Sequence, residues 1–296
     1  MSDVGAKPQQ VRLRRFTLEA LETRLVELPA PGADELELPG ADWLPPDLHR
    51  LAIHPSGVAQ VVEAERRGRP ARVPLFNGRA LSFRSAPLVT HGDCASFGPS
   101  VSATFLATEH LDPELEARLA EDLSARAVYA DALEEAGDPF GNALALAGPE
   151  GAPPPWVLNE VKLPLLELDA TWRHGFVEQA QVSLLEAPLY PAGLLRVLHL
   201  RVFCVARSLT VRIDVANAVD HPLDPRLAAH LPTSLREFQL ILGLREAALR
   251  EDVDRLLEQV RIRCPGIEAT VAIDPSRADP SVARMHLNLR GRSWSR

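Results

Sequence analysis

"LREFQLIL", residues 235–242, and "IEATVAID", residues 267–274, decide the C-terminal half of this chain. Both are short apolar runs rich in branched side chains, which is the composition of a buried strand. Between them, residues 246–263 place Leu249, Val253, Leu256, Leu257 and Val260 at helical spacing on one face. Cys264-Pro265-Gly266 then stops the helix. Strand, helix, strand in this order predicts a β-α-β unit with parallel strands and a right-handed crossover.

Working upstream, an apolar-x-x-apolar-x-apolar frame recurs. It reads Val177, Ala180, Val182; then Leu195, Leu198, Leu200; then Leu235, Phe238, Leu240. "SLTVRID" adds Leu209, Val211 and Ile213, and the last strand adds Ile267, Ala269, Val271 and Ile273. The frame resembles the strand side of leucine-rich repeats, although the spacing is uneven and no asparagine ladder accompanies it. "ARMHLNL" is a candidate final strand.

The middle of the chain reads as helices. Asp112 is a candidate N-cap, Pro113 sits at the first helical position, and Glu114 and Glu116 occupy the positive end of the helix dipole. Leu115, Leu119 and Leu123 form one stripe, and the pattern runs on through Val128, Ala132 and Leu133 to Gly137. It admits one long helix or two broken near Ser124. Gly137 suits a left-handed C-terminal cap, and Asp138-Pro139 a turn. Asp131, Glu134, Glu135 and Asp138 form an acidic cluster beside it. Paired carboxylates do acid–base work only where a pocket separates their pKa values. Here solvation and capping explain them better.

These residues carry a resemblance. "RAVYADALEEAGDPFGN" is similar to the bacterial repeat-companion domain, whose pattern is approximately R-x-V-Y-A-D-W-L-E-E-x-G-D-P-x-G. The chain keeps Arg126, Val128, Tyr129, Ala130, Asp131, Leu133, Glu134, Glu135, Gly137, Asp138, Pro139 and Gly141. Ala132 replaces the usual Trp, and Phe140 stands where Arg is common. The resemblance spans residues 104–146. It implies a short helical module beside leucine-rich-repeat-like sequence, with a looser likeness at "WRHGFVEQAQV", 172–182.

Upstream of the helices the chain reads as β structure. "GVAQVVEAE" alternates, "LHRLAIH" ends in Pro55-Ser56-Gly57, and "ARVPLF" joins "ALSF" through Asn77-Gly78, the preferred pair for a type I′ hairpin. Residues 48–85 are therefore expected to form a meander of about four strands. Residues 18–25 read as weakly helical, 28–47 as an irregular connection, and 91–100 as a loop. The expected class is α+β: an N-terminal antiparallel β meander, a central helical hairpin and a C-terminal leucine-rich-repeat-like stack of mostly parallel strands with a β-α-β unit. The expected divisions are 1–100, 101–155 and 156–296.

Composition bounds the function. The chain has 296 residues and a net charge of −8, with 46% hydrophobic and 5% aromatic residues. An acidic protein is a poor ligand for a polyanion unless it carries a basic stripe. The clusters at Arg12-Leu13-Arg14-Arg15, at Arg66-Arg67-Gly68-Arg69 and at Arg290 to Arg296 lack interleaved aromatics and read as solvated faces and turns. No nucleic-acid partner is expected. Cys94, Cys204 and Cys264 are too few and too scattered for a disulfide framework, which fits a reducing cytoplasm. No signal h-region and no run of about 20 apolar residues is present, so no membrane partner is expected.

His91-Gly92-Asp93-Cys94 is the most chemical of the loops. Cys94 is a candidate reactive thiol, set against a plain polar turn with a partly buried Cys. No second half of a metal site accompanies it, and no nucleotide-loop, nucleophile-elbow or zincin motif is present. No cofactor, metal or catalytic residue is expected. Trp172, Arg173 and His174 mix aromatic and basic groups and are candidate partner contacts, against a reading in which Trp172 and Phe176 seal the first strand. The expected function is a non-catalytic intracellular protein-interaction or scaffold protein that recognises a protein partner through its leucine-rich-repeat-like surface. The alternative is an enzyme or small-ligand-binding protein using the N-terminal region and the His91–Cys94 loop.

Overall fold

A computed structural model describes residues 7–40, 42–43, 49–62, 73–185, 189–213, 223–242, 250–273, 286–288 and 293–295. The Arg66–Arg69 cluster, most of the Arg290–Arg296 tail, and Leu249 of the expected helix face lie outside these residues. The fold is mixed α+β. An N-terminal antiparallel sheet is followed by helices, then by a C-terminal sheet of mostly parallel strands. The chain divides into two compact units. The first takes residues 1–112, 127–146 and 154–164, and the second takes 113–126, 147–153 and 165–296.

In the first unit, β1 (Gln10–Phe16) pairs antiparallel with β2 (Leu21–Glu27) and with β9 (Val101–Leu106). β8 (Cys94–Phe97) follows β9, and β6 (Leu75–Phe76) and β7 (Arg79–Ala80) complete six strands in the order β2-β1-β9-β8-β6-β7. A separate three-stranded sheet holds β3 (Leu36–Leu38), β4 (Arg50–Ile53) and β5 (Ala59–Val62). One apolar cluster draws on both sheets: Val11, Leu13, Phe97, Ala103 and Phe105 from the first, Leu38, Leu51 and Ile53 from the second. The expected 48–85 meander is thus two hairpins serving two sheets. Asn77 (φ 50°) and Gly78 (φ 83°) make the β6–β7 turn with the dihedral signs of type I′.

Two expectations are corrected here. Residues 21–27 are strand, not helix, because pairing along all of β1 outweighs a weak local helix preference. The 91–100 segment is not wholly loop, since Cys94–Phe97 is a strand whose four residues are all buried.

The helical middle resolves as two helices before the hairpin turn. α1 (Pro113–Glu121) ends, and a 3-10 turn over Leu123–Ala125 precedes α2 (Arg126–Glu135). Asp122 accepts from the Ser124 N–H at 2.8 Å and caps that turn. α2 closes with a Schellman pair: the Gly137 N–H bonds to the Glu134 carbonyl at 2.9 Å, and the Asp138 N–H to the Leu133 carbonyl at 2.8 Å. Gly137, at φ +73°, supplies the left-handed residue. α3 (Pro139–Leu146) then packs so closely that a Cβ on Gly141 would sit 2.7 Å from the Ala130 carbonyl oxygen and 2.6 Å from the Glu134 nitrogen. The final glycine of the D-P-x-G pattern is therefore required by a helix–helix approach.

In the second unit, the sheet order is β10 (Leu166–Arg173), β11 (Phe176–Leu184), β12 (Ser208–Ile213), β13 (Glu237–Leu242), β14 (Glu268–Ile273), β15 (His286–Asn288), β16 (Ser293–Ser295). β11 to β14 are parallel, and the other pairs are antiparallel. Register aligns Gln179 with Ser208, Glu237 and Glu268, so the strands repeat at offsets of 29, 29 and 31 residues. The spacing is more regular than the residue pattern suggested. Leu195, Leu198 and Leu200 belong to no strand: α4 (Ala192–Leu198) is a helix with all seven residues buried. An apolar-x-x-apolar frame is equally an i, i+3 helical pair, and a helix buried all round shows no polar face to tell them apart. α5 (Arg250–Arg263) links β13 to β14 as the β-α-β reading expected. Among the described residues no helix is long and apolar enough to cross a membrane.

Candidate functional site

Alternation along β11–β14 points Ala180, Val182, Leu209, Val211, Phe238, Leu240, Ala269 and Val271 into the core, all at most 6% exposed. The residues between them face outward in register. One row is Asp169, Gln181, Thr210, Gln239, Thr270, and its neighbour is Thr171, Gln179, Ser208, Glu237, Glu268. None of these ten is buried. At the β10 end the rows line an open depression of about 210 Å³ between Asp169, Thr171, Gln179, Gln181, Ser208 and Thr210. Amide and hydroxyl groups dominate, with carboxylates at both ends. Such a surface can donate and accept hydrogen bonds over several strands, but it contains no nucleophile–base pair.

Trp172, Arg173 and His174 lie at one end of this sheet. His174 (φ 53°) and Gly175 (φ 85°) form the two-residue turn between β10 and β11. The His174 N–H bonds to the Pro149 carbonyl at 3.1 Å and the Gly175 N–H to the Gly151 carbonyl at 2.8 Å. Arg173 is exposed and pairs with Glu178 at 3.3 Å, an interaction of small energetic weight at the surface. Trp172 is half-buried and Phe176 fully buried. The two aromatics thus differ: Phe176 belongs to the core, while Trp172 keeps a face at the rim.

The His91–Cys94 loop is tied down on every side. Asp93 accepts from the Thr90 N–H at 2.7 Å, the Thr90 hydroxyl at 2.9 Å and the Asn77 amide at 2.7 Å. Asn77 in turn accepts from the Cys94 N–H at 2.9 Å. Cys94 is 1% exposed, and its thiol faces the Ala95 carbonyl and the Thr104 hydroxyl at 3.7 and 3.8 Å. Gly92 has φ +82°, and a Cβ there would meet the Trp156 Cβ at 2.6 Å. Elsewhere, burial pushes the Cys204 thiol up to about 12, with the Glu116 carboxylate adding to it, and burial also raises Cys264. Neither is poised as a thiolate.

His91 accepts the Ala107 N–H on Nδ1 at 3.0 Å, so its proton sits on Nε2 and the ring is neutral. Its ring meets Trp156 edge-on at 4.5 Å. Burial lowers its pKa, and Arg12 adds to this, against the opposing pull of Asp138, Glu109 and Asp93. A histidine lowered in the folded state is protonated first in the unfolded one. Its contribution is therefore complete above about pH 6.5 and is lost as pH falls through the folded value. The urea midpoint of the first unit is expected to drop between pH 7.5 and 5.5. His91→Asn, which keeps an acceptor for Ala107, is expected to flatten that drop. An unchanged slope in the variant excludes His91 as its source.

The acidic cluster of the hairpin separates by role. Asp131, Glu134 and Glu135 are exposed. Asp138 is 4% exposed, caps α3 through the Phe140 N–H at 2.9 Å and accepts the His110 N–H at 2.9 Å. That is a structural carboxylate. The reading of Arg12 and Arg14 as solvated is overturned: both are 9% exposed, on the side of β1 opposite Val11 and Leu13. Glu160, 3% exposed in a 3-10 turn over Pro155–Val161, meets them. Sequence reasoning missed Glu160 altogether, since its partners lie some 150 positions away. Among the described residues no group of three or more His, Cys, Asp or Glu is placed to hold a metal ion. No family model, curated protein or solved structure matches this chain.

Proposed function

We propose that the protein is a non-catalytic interaction or scaffold protein, and that the outward face of β11–β14 receives an extended segment of a protein partner. The observation that carries this reading is the in-register row Gln181, Thr210, Gln239, Thr270. Short polar side chains repeated across parallel strands form a long, ordered, hydrogen-bonding surface suited to polypeptide recognition. The leucine-rich-repeat-like frame and the repeat-companion resemblance of residues 104–146 support the same reading. Asp169 and Glu237 favour basic residues in the partner and disfavour a nucleic acid, as does the net charge of −8. Three free cysteines support a cytoplasmic setting. The buried Cys94 lends no support to the enzyme alternative.

The test compares partner capture by wild type, by Thr210→Arg/Gln239→Arg and by Arg173→Ala/His174→Ala. The face variant is expected to lose the wild-type partner by tenfold or more while its stability changes by no more than about 0.5 kcal/mol. The turn variant is expected to weaken binding less, because its side chains sit at the rim. A partner retained equally by the face variant overturns the assignment.

A further inference from the structure

We propose that His199 and His230 form a divalent transition-metal site that joins two successive repeats of the second unit. His199 directly follows α4, and His230 closes the 3-10 turn Pro225–His230. They stand 31 positions apart, within the strand offsets of 29 to 31 residues, so repeat stacking itself brings equivalent connections together. The His199 Nε2 lies 3.0 Å from the His230 Nδ1. The rings are nearly perpendicular, at 80°, with centroids 5.2 Å apart, so nitrogen faces nitrogen and the rings do not stack. Both residues are half-buried, which leaves the pair accessible to an ion from solvent.

This geometry fits shared coordination. With metal–nitrogen bonds of about 2.0–2.1 Å, two ligand nitrogens stand about 3.3 Å apart in a tetrahedral site and about 2.9 Å apart when cis in a square plane. The observed 3.0 Å falls between, so the nitrogen separation suits either geometry, and coordination needs each ring to turn its lone pair off the nitrogen–nitrogen line towards the shared ion. In the metal-free pair one ring donates and the other accepts. Coordination at the same two atoms needs the tautomers protonated at His199 Nδ1 and His230 Nε2. From two neutral rings this is a proton relocation, with no net proton released. The bonds formed are two nitrogen-to-metal dative bonds, and water leaves the ion.

The scaffold holds both ligands firmly. The His199 N–H bonds to the Leu195 carbonyl at 3.0 Å. The turn carrying His230 is capped by Asp224, which accepts the Arg226 N–H at 2.8 Å, and the Asp224 N–H bonds to the Tyr190 hydroxyl at 3.3 Å. Among the described residues no group of three or more His, Cys, Asp or Glu is placed to hold a metal, so the proposed site counts these two ligands and completes its coordination with water. The site is therefore exchangeable, and its order of affinity is Cu²⁺ above Ni²⁺ and Zn²⁺, as imidazole ligands dictate.

The decisive experiment titrates the full chain with Cu²⁺ at pH 7.5 and records the electron paramagnetic resonance spectrum. His199→Gln and His230→Asn are the variants, because their amides can keep the pair's hydrogen bond while removing the imidazole ligand. Circular dichroism establishes that they fold. Wild type is expected to bind one equivalent more than the double variant, with coupling from two imidazole nitrogens. Each single variant is expected to lose tenfold or more in affinity for that equivalent. Equal isotherms for wild type and double variant, or a spectrum without two-nitrogen coupling, reduce the pair to a hydrogen bond and overturn the proposal. This outcome is independent of the strand-face reading, which involves other residues.

Discussion

Glu160→Ala is expected to destabilise the first unit by about 3–5 kcal/mol, the cost of leaving a buried charge without its partner. Glu160 Oε2 accepts from the Arg14 Nη1 at 3.1 Å and the Arg12 Nη2 at 3.5 Å, and Oε1 accepts the Ser102 hydroxyl at 2.6 Å. Arg12 also pairs with Glu109. Two guanidiniums and two carboxylates balance, and removing Glu160 leaves one positive charge in excess below the sheet surface. Burial already lowers the Arg14 pKa, Arg12 lowers it further, and Glu160 and Glu109 work against both. Glu160→Gln keeps the shape and removes only the charge, so it is expected to fall between alanine and wild type. Amide exchange along β1 and β9 reads the effect directly. Losses below about 1 kcal/mol in both variants would mean that water reaches the arginines and screens them.

Those residues also show where sequence reasoning stops. Val11, Arg12, Leu13 and Arg14 alternate with the period of a strand, but charge on the alternate positions invites the reading of a solvated basic cluster, and no strand is read there from the sequence. At β1, β9 and β8 the sheet is instead buried on both sides. In register, Arg12 opposes Thr104, which opposes Cys94, and Arg14 opposes Ser102, which opposes Ser96. Small polar residues on that second face also hid β8 and β9, since they resemble loop composition. Local rules fared better wherever one residue's conformation was decisive. Asn77-Gly78, Gly137 and His174-Gly175 all have positive φ. The first two were read as turn and cap from residue type alone. The helix–stop–strand order of the C-terminal unit was equally legible, because α5 has one apolar face and a proline-glycine stop. The outward strand face was not, because Gln, Thr and Ser carry no pattern until register aligns them.

Register makes the second large prediction. Phe238 is 1% exposed in β13 and lies in the row Ala180, Leu209, Phe238, Ala269. It is the one aromatic side chain of that row, next to an alanine on β14 that cannot extend to fill its space. Phe238→Ala is therefore expected to cost about 3–5 kcal/mol, at the upper end for a core truncation. In a stack whose repeats touch mainly their neighbours, the loss should be local. Exchange protection is expected to fall most in β12, β13 and β14 and least in the β10–β11 hairpin, which is held by its own eight-residue antiparallel register. Phe238→Leu, which returns most of the volume, is expected to recover more than half of the loss. Uniform loss across β10 to β14 would instead make this sheet one cooperative body. A mutation in β13 would then reach the Asp169–Thr210 depression as strongly as one made inside it, and face variants would need to be judged by stability as well as by binding.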